Sequence, residues 1–471
     1  MMVDHVPHVT AELFVIPAEE AYLVYAPLRS AAFVANAAMV NRLAALQSGH
    51  PLPDDSQSAS LLELLRHLGI VDGGPEEPPV TTFRGNPRPT SCTLFLTTGC
   101  NLRCTYCYAA AGDTPLRSMP LDIAQRGIDF IVANAVELGA PGIDLAYHGG
   151  GEPSLNWRTL TGSYDYAAEQ GAEHGLSLTA AMASNAVLSD EKIDWIVAHL
   201  DGVSVSFDGM PEVHNRHRLT VSGQGSWDAV CHTLRRFDES RFNYGLRLTA
   251  TADMLSRLPE SIAYICRTFR PAKIQVEPAY QLGRWRNAPS AETLEFLAVF
   301  REAAAIAAEQ GQELFFSGAR LGLLTNHFCG VSQDSFCLTA DGSISGCYEV
   351  FLESNPLAAK FLYGHLDQSG GVQFNLPILN QLRRQSVDQR PYCSGCFAKW
   401  SCGGDCYHKS LDATGNEEFQ GTDRCHIIRE LTKDQILERI ARSGGLIWSG
   451  ETLETAETLD LVETLDAVGV A

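Results

Sequence analysis

Eleven of the fourteen cysteines in this chain fall in two groups whose spacings suit iron–sulfur ligation. The first group lies in one short loop, with the pattern Cys100-x-x-x-Cys104-x-x-Cys107. The second group comprises Cys329, Cys337, Cys347, Cys393, Cys396, Cys402, Cys406 and Cys425. Thiolates are the soft ligands that iron–sulfur clusters require, and a four-iron cluster normally takes four of them. Three cysteines leave one iron without a protein ligand, whereas eight can close two clusters. The pattern therefore predicts one open cluster and two closed ones.

Zinc and disulfides are the competing explanations for so many cysteines. A structural zinc site takes four protein ligands, commonly as paired Cys-x-x-Cys units, and the first loop offers only three. The N-terminal residues show no basic segment followed by an apolar run, so we expect no signal peptide and a reducing, cytoplasmic location. The cysteines left over, Cys92, Cys231 and Cys266, fit small buried hydrophobic residues.

Composition narrows the class of protein. The chain has 471 residues, enough for more than one domain, with 45% hydrophobic and 19% charged residues. Its formal net charge of -21 argues against a nucleic-acid partner, whose binding rests on basic surface. No apolar stretch is long enough to span a bilayer, so we expect no membrane partner.

The elements that must position the cysteines begin with a small N-terminal α+β domain, residues 1–74. Residues 12–26 predict two strands around a turn, and helices are predicted over 30–48 and 59–68. A proline-rich linker follows at residues 75–91. Beyond it we predict a barrel-like region (92–290), a bridging helical region (291–328), a cysteine-rich domain (329–430) and a C-terminal helix with an acidic tail (431–471).

The region from residue 92 alternates strand and helix, which is typical of α/β folds. Strands are predicted at 92–97, 143–147, 177–183, 202–207, 245–250 and 273–277, with helices between them, for example at 121–138 and 189–200. This order predicts a parallel sheet covered by helices, either an open barrel or a doubly wound sheet. Chemistry in such folds lies at the carboxyl ends of the strands. The three-cysteine loop follows the first strand, and the run Gly149-Gly150-Gly151-Glu152-Pro153 follows the second.

The three-cysteine loop, with Gly99 before it and Tyr106 inside it, resembles the signature of the radical S-adenosylmethionine (SAM) superfamily. The resemblance implies a partial (β/α)6 barrel, SAM bound at the open iron, and reductive cleavage of SAM to methionine and a 5′-deoxyadenosyl radical. The glycine run matches the family's Gly-Gly-Glu-Pro element; without the cysteines, it would indicate only a tight turn. The SAM-pocket residues so implied are Gly150, Gly151, Glu152, Ser184, Asn185, Ser206, Asp208, Arg247 and Glu277. Arg218 is an alternative to Arg247 for the SAM carboxylate, and each polar residue could instead be a satisfied group at a strand end.

The second cysteine group resembles the SPASM extension of radical SAM enzymes. By position, the resemblance implies that Cys329, Cys337, Cys347 and Cys406 hold one auxiliary [4Fe-4S] cluster and that Cys393, Cys396, Cys402 and Cys425 hold the other. Cys337 departs from the family pattern, because seven cysteines match in register and it is the eighth. If it is not a ligand, the first auxiliary cluster keeps an open iron.

Most SPASM enzymes modify peptides or proteins, so the resemblance implies a ribosomal peptide maturase. The first 74 residues faintly resemble the small leader-recognition domain of such enzymes, although a plain cap on the barrel is the alternative. The expected reaction removes hydrogen from a precursor peptide and forms a carbon–carbon or thioether cross-link. The expected partners are a leader-bearing precursor peptide and an external electron donor such as flavodoxin or ferredoxin.

Three other functions remain open. A sulfatase maturase, which makes formylglycine, carries an aspartate base directly after the third cysteine of the first auxiliary set. Here that position is Tyr348, followed by Glu349, and both are candidate acid–base residues. A small-molecule dehydrogenase or epimerase would not need the N-terminal domain. A non-catalytic iron–sulfur carrier or zinc scaffold would not need Glu152 within its glycine run.

Overall fold

A computed structural model describes residues 7–367 and 371–449 of the chain. Its strands are β1 Phe14–Ala18, β2 Ala21–Ala26, β3 Ala31–Ala35, β4 Ser91–Phe95, β5 Gly142–His148, β6 Ser177–Ser184, β7 Gly202–Ser206, β8 Tyr244–Ala250, β9 Lys273–Pro278, β10 Leu314–Phe315, β11 Cys337–Leu338, β12 Ser343–Ser345, β13 Leu362–Leu366, β14 Val372–Phe374 and β15 Ile447–Ser449. Its α-helices are α1 Ala37–Gln47, α2 Ser56–His67, α3 Leu121–Leu138, α4 Trp157–His174, α5 Asp190–His199, α6 Pro211–His217, α7 Trp227–Glu239, α8 Leu258–Thr268, α9 Thr293–Glu309, α10 Ala358–Phe361, α11 Leu376–Arg383, α12 Lys399–Cys402, α13 Tyr407–Thr414 and α14 Asp423–Arg442.

The N-terminal sheet confirms the predicted hairpin and corrects one helix. Strands β1 and β2 pair antiparallel around a two-residue turn, with Ala18 opposite Ala21. The helix predicted from residue 30 is wrong over its first part, because β3 lies there and pairs antiparallel with β2. Both faces of β3 are buried, and a continuous apolar run cannot be told from a buried helix by its periodicity. Helix α1 begins only after Asn36, whose side chain accepts a hydrogen bond from the Met39 amide over 2.9 Å.

A strand from the other end of the chain completes this sheet. Strand β15 pairs antiparallel with β3, which gives the order β1-β2-β3-β15. Ile447 of β15 is buried in the same core as Phe33 and Met39. Helix α14, which leads to β15, runs without a break across the domain boundary predicted at residues 430/431. The acidic tail predicted from residue 451 lies outside the described residues.

The six predicted barrel strands are confirmed as the parallel series β4 to β9. Burial alternates along them, as on β5, where Ile143, Leu145 and Tyr147 are buried and the residues between them are more exposed. The buried face packs against the surrounding helices, and the other face lines an open lumen. Strand β10 extends the sheet beyond β9, and the sheet does not close on itself within the described residues.

The cysteine-rich region continues the same sheet. Strand β11 pairs in parallel with β4, with Cys337 opposite Thr93, and the antiparallel strands β12, β13 and β14 follow. Because β4 also leads directly into the three-cysteine loop, Cys337 is anchored beside the strand that carries that loop. Over the described residues no helix is both long and apolar enough to cross a membrane.

Candidate active site

The three-cysteine loop lies at the carboxyl end of β4. The amide of Cys107 donates to the carbonyl of Cys104 over 3.2 Å, and the Arg103 guanidinium donates to the carbonyl of Cys100 over 2.8 Å. Burial raises the pKa of the Cys100 thiol to about 12 and that of Cys104 to about 11. Because metals bind the thiolate, a bound cluster would supply the positive charge that deprotonates these cysteines.

The glycine-rich turn after β5 is packed against the residue that precedes Cys100. The amide nitrogen of Glu152 donates to the carbonyl oxygen of Gly99 over 2.8 Å. A Cβ atom on Gly151 would overlap that carbonyl oxygen, and one on Gly150 would overlap the Phe351 ring. These positions therefore require glycine because of close approach, and the turn and the cysteine loop form one unit.

Glu152 gathers two other predicted pocket residues around its buried carboxylate. Its oxygens accept hydrogen bonds from the Ser154 amide over 3.1 Å, the Ser184 hydroxyl over 3.0 Å and the Asn185 amide over 2.8 Å. Burial raises the pKa of Glu152. The Asn185 side chain then donates to the Asn101 oxygen over 2.8 Å, next to Cys100. A carboxylate has about four acceptor positions, so one remains for a ligand ammonium group.

Asp208 forms an ion pair within the protein instead of being available to SAM. Its carboxylate accepts from both ends of the Arg218 guanidinium, over 2.8 and 3.1 Å, and from the Tyr106 hydroxyl and the Thr249 amide. Burial alone would raise the pKa of Asp208, but the charge of Arg218 and its hydrogen bonds outweigh burial and lower it. The structure therefore pairs two residues that the sequence offered as separate contacts to SAM.

Arg247 faces the lumen from β8, opposite Ser206 of β7 in the sheet register. Its side chain is exposed, and within the described residues it makes no ion pair. Burial, with the charge of Arg247 added, lowers the pKa of His148 at the end of β5 to about 4. Arg247 is thus an exposed cation without an ion-pair partner among the described residues, whereas Arg218 is already paired.

Glu277 does not join the residues around Glu152. Its carboxylate accepts from the Arg424 guanidinium over 3.1 Å, the Tyr280 hydroxyl over 2.9 Å and the Ser317 amide over 3.0 Å. Burial opposes ionisation, yet the charges of Arg424 and Arg247 lower the pKa of Glu277. Arg424 also donates to Asp405 over 2.8 Å, so Glu277 connects the end of β9 to the cysteine-rich domain.

The two candidate acid–base residues point to different places. Tyr348 stacks on His148, with ring centroids 4.7 Å apart, and lines a lumen cavity of about 370 Å³. Glu349 is held in an ion pair, with its carboxylate 3.1 Å from the Lys409 ammonium and 2.6 Å from the His408 ring. Burial would raise the pKa of Glu349, but Lys409 and His408 outweigh burial and lower it. Tyr348 therefore lines the cavity, whereas the carboxylate of Glu349 is already paired with Lys409 and His408.

Thiols of the second cysteine group lie close enough to one another to act electrostatically within two sets. After burial, which is the largest cause in each case, neighbouring thiols raise the pKa of one another. In the first set, the charge of the Cys329 thiolate raises the pKa of Cys337, Cys347 and Cys406. In the second set, Cys396 and Cys425 raise the pKa of both Cys393 and Cys402 in the same way. All fourteen cysteines of the chain are unpaired thiols.

These donor sets fit iron–sulfur clusters by their chemistry. Each auxiliary set offers four soft sulfur ligands, and the loop at Cys100 offers three. Within residues 7–367 and 371–449, no three His, Cys, Asp or Glu side chains are arranged to hold a single metal ion. A cuboidal cluster distributes its ligands over four separate irons, which is a different arrangement.

Sequence reasoning missed a clamp on the cysteine loop. Arg284, which follows β9, donates to the Cys104 carbonyl over 3.1 Å and to the Asp113 carboxylate over 2.7 Å, and its own amide donates to the Cys107 carbonyl over 3.1 Å. About 180 residues separate this arginine from the loop, and no motif marks it. Only the curvature of the sheet brings the two together.

Comparison with known proteins supports this geometry. Residues 94–255 match the model of the Radical SAM superfamily, so this part of the chain is a radical SAM domain. The sporulation killing factor maturation protein SkfB of Bacillus subtilis is 24% identical over 290 residues, which cover 57% of this chain and 62% of SkfB. A cysteine-type anaerobic sulfatase-maturating enzyme of Clostridium novyi is 23% identical over 152 residues, 31% of this chain and 40% of the relative. The chain therefore spans less than two thirds of each of these relatives.

Solved structures share the fold over most of the chain. A structure of anSMEcpe with bound AdoMet has a TM-score of 0.59 at 15% identity, and it covers 80% of this chain and 99% of its own. SuiB of Streptococcus suis has a TM-score of 0.50 at 13% identity, covering 88% of this chain and 99% of its own. The predicted fold class, a partial radical SAM barrel followed by a SPASM-type domain, is confirmed.

Proposed function

We propose that this chain, a radical SAM enzyme, is a peptide maturase that abstracts hydrogen from a ribosomally made precursor peptide and installs a carbon–carbon or thioether cross-link. The observation that carries the proposal is the hydrogen bond from Glu152 to Gly99, which fixes the glycine-rich turn on the three-cysteine loop. A carrier of electrons would have no need of that junction. Catalysis of this kind rests on binding and orientation by the protein.

When bound, SAM and the first cluster would supply methionine and a 5′-deoxyadenosyl radical in exchange for one electron. The residues of the chain then divide the work of holding SAM. Glu152 has one acceptor position left for the ammonium group, and Arg247 offers an open guanidinium for the carboxylate. The lumen side of the sheet leaves room for a peptide segment near His148 and Tyr348.

The electron balance explains why two further thiol sets accompany the first. Removing a hydrogen atom from the peptide and then forming a new bond with loss of a proton is a two-electron oxidation. The radical takes the hydrogen atom, and the second electron must leave the substrate. In this proposal a cluster on Cys329, Cys337, Cys347 and Cys406 would accept that electron, and the position of Cys337 beside β4 supports this role. A flavodoxin or ferredoxin would supply the electron that starts each turnover.

The N-terminal sheet is the proposed docking site for the leader of the precursor, which would add as an extra strand. Strand β1 is one edge of this sheet, but Pro17 lacks a backbone N–H to donate to an added strand. The edge of β3 is occupied by β15. A leader strand could add to the outer edge of β15, or it could reach the longer strand β3 by replacing β15. The name of SkfB, a maturation protein for a killing factor, supports a peptide substrate.

The proposed function is tested with anaerobically reconstituted protein, SAM and a reductant. We expect release of 5′-deoxyadenosine, which Cys104→Ala should abolish and the matched variant Cys266→Ala should preserve. Precursor peptides encoded next to the gene should lose two hydrogen atoms by mass spectrometry. Conversion of a cysteine-containing sulfatase peptide to formylglycine would favour a sulfatase maturase instead. Equal SAM cleavage by the Cys104 variant would overturn the assignment of the first site.

A further inference from the structure

Two arginines lie among the auxiliary cysteines without a carboxylate partner. The first, Arg320, directs its guanidinium at backbone carbonyls, including those of Ser401 over 3.1 Å, Phe328 over 3.0 Å and Cys402. Phe328 precedes Cys329, so this one side chain touches the backbone beside a member of each cysteine set. In the part of the chain that the structure describes, Arg320 forms no ion pair.

The second arginine, Arg390, is only 5% exposed. Its terminal nitrogens donate to the carbonyl of Gly404 and to the Gln385 side chain over 3.2 Å, and its guanidinium lies over the Phe419 ring at 4.5 Å. Its Nε is buried without a hydrogen-bond acceptor. Among the described residues it too lacks a carboxylate within ion-pair distance, although it lies three residues before Cys393 and its guanidinium donates to the carbonyl of Gly404, two residues before Cys406.

The described arginines that are buried like Arg390 each pair with a carboxylate. Arg218 pairs with Asp208, Arg383 with Asp334, and Arg424 with both Glu277 and Asp405. Leaving a buried cation without an anion costs several kcal/mol, so the buried Arg390 needs a source of negative charge. Arg320 is partly buried and has the same need to a lesser degree. Four thiolates around a four-iron cluster provide a net negative charge that grows by one when the cluster is reduced.

We propose that Arg320 and Arg390 compensate the charge of the two auxiliary clusters and raise their reduction potentials, so that these clusters accept the electron released by the substrate radical. A fixed cation stabilises the reduced cluster more than the oxidised one, because the reduced form carries the extra negative charge. The unsatisfied Nε of Arg390 also provides a donor for a cluster sulfur. The inference rests on the proposed function in that both sets must hold clusters.

The test is a redox titration of the auxiliary clusters followed by electron paramagnetic resonance. The background is a protein in which Cys100, Cys104 and Cys107 are replaced by alanine, so that only auxiliary clusters contribute. Arg320→Gln and Arg390→Gln remove the charge, Arg320→Lys and Arg390→Lys retain it, and Arg301→Gln removes a charge from a surface ion pair as the control. Iron per chain is measured for every variant.

We expect each Gln variant to show about a tenfold lower reduced-to-oxidised ratio at a fixed solution potential, which is about 59 mV for a one-electron couple. The Lys variants should stay near the parent, as should Arg301→Gln. Full iron with unchanged potentials in the Gln variants would overturn the inference while leaving the proposed function intact. Equal loss of iron in the Gln and Lys variants would also overturn it, because it would show a purely structural clamp. Absence of auxiliary iron in the parent would instead refute the two-cluster assignment.

Discussion

The amide nitrogen of Glu152 donates a hydrogen bond to the carbonyl oxygen of Gly99 over 2.8 Å. This bond joins the turn after β5 to the residue before Cys100, so the group that would bind the SAM ammonium and the loop that would hold the open iron move as one body. The carboxylate of Glu152 is at the same time fixed by Ser184 and Asn185. Binding groups on three successive strands are thus held in place before any ligand arrives, which favours binding.

Replacing Gly151 by alanine should disturb this junction. The added Cβ would overlap the Gly99 carbonyl, which is backbone and cannot rotate away. Such overpacking costs about 1–3 kcal/mol. If the turn relieves it by moving, SAM binding should weaken roughly 5- to 150-fold by equilibrium dialysis. Gly74→Ala is the control, because a Cβ at Gly74 has no atom within 4 Å. Unchanged SAM affinity in the Gly151 variant would show that the turn and loop do not act together.

Removing only one charge of the buried Asp208–Arg218 ion pair should destabilise the folded protein. Arg218→Met leaves the buried Asp208 carboxylate without its cation, and Asp208→Asn leaves the buried Arg218 cation without its anion. Each change should lower the free energy of unfolding by about 3–5 kcal/mol. The double variant removes both charges and should recover part of the loss. Shifts of the urea unfolding midpoint measure the effect.

The control for that pair is Arg301→Met, which breaks a surface pair with Asp434 whose side chains are 42% and 34% exposed. Its cost should be no more than about 1 kcal/mol. If the double variant were less stable than either single variant, the pair would be contributing through more than mutual charge compensation.

The sequence predicts the barrel well because its strands carry a local signal. Alternation of buried and open residues along β5, followed by the glycine run, marks both an element and its functional end. Strand β3 carries no such alternation, since both of its faces are buried, and its apolar run therefore predicts part of a helix. The side chains missed at the site, Arg284, Arg320 and Arg390, depend on contacts between segments far apart in the chain, which no local pattern encodes.

The N-terminal sheet provides a prediction about the leader. Ending the chain at Gly445 removes β15 and exposes the edge of β3. A labelled leader peptide should then bind about tenfold tighter, which corresponds to about 1.4 kcal/mol of binding free energy. Fluorescence anisotropy measures this affinity. Release of 5′-deoxyadenosine without peptide should not change, because the sheet lies outside the barrel. Pro17→Ala is the paired variant, since it restores an N–H on β1. Tighter binding in that variant alone would place the leader on β1.

Cys337 determines whether the first auxiliary set has four ligands or three. It lies opposite Thr93 on β11, and Ser335 approaches its sulfur at 3.3 Å. The nearby thiol of Cys329 contributes to raising its pKa, after burial, to about 12. Cys92, one residue before Thr93 on the adjacent strand, is equally buried but points to the other face, where its sulfur is 3.6 Å from the Cβ position of Gly127 in α3. Two neighbouring buried cysteines therefore face opposite sides of one sheet.

This arrangement makes Cys92→Ala the matched control for Cys337→Ala. Wild type and the Cys92 variant should each contain about 12 irons per chain, as three four-iron clusters require. The Cys337 variant should contain fewer, roughly 8 if the whole cluster fails to assemble. Full iron in the Cys337 variant would mean that three cysteines suffice and that one auxiliary iron stays open to substrate. Because both changes remove one buried thiol, a difference between them reports ligation and not the loss of packing.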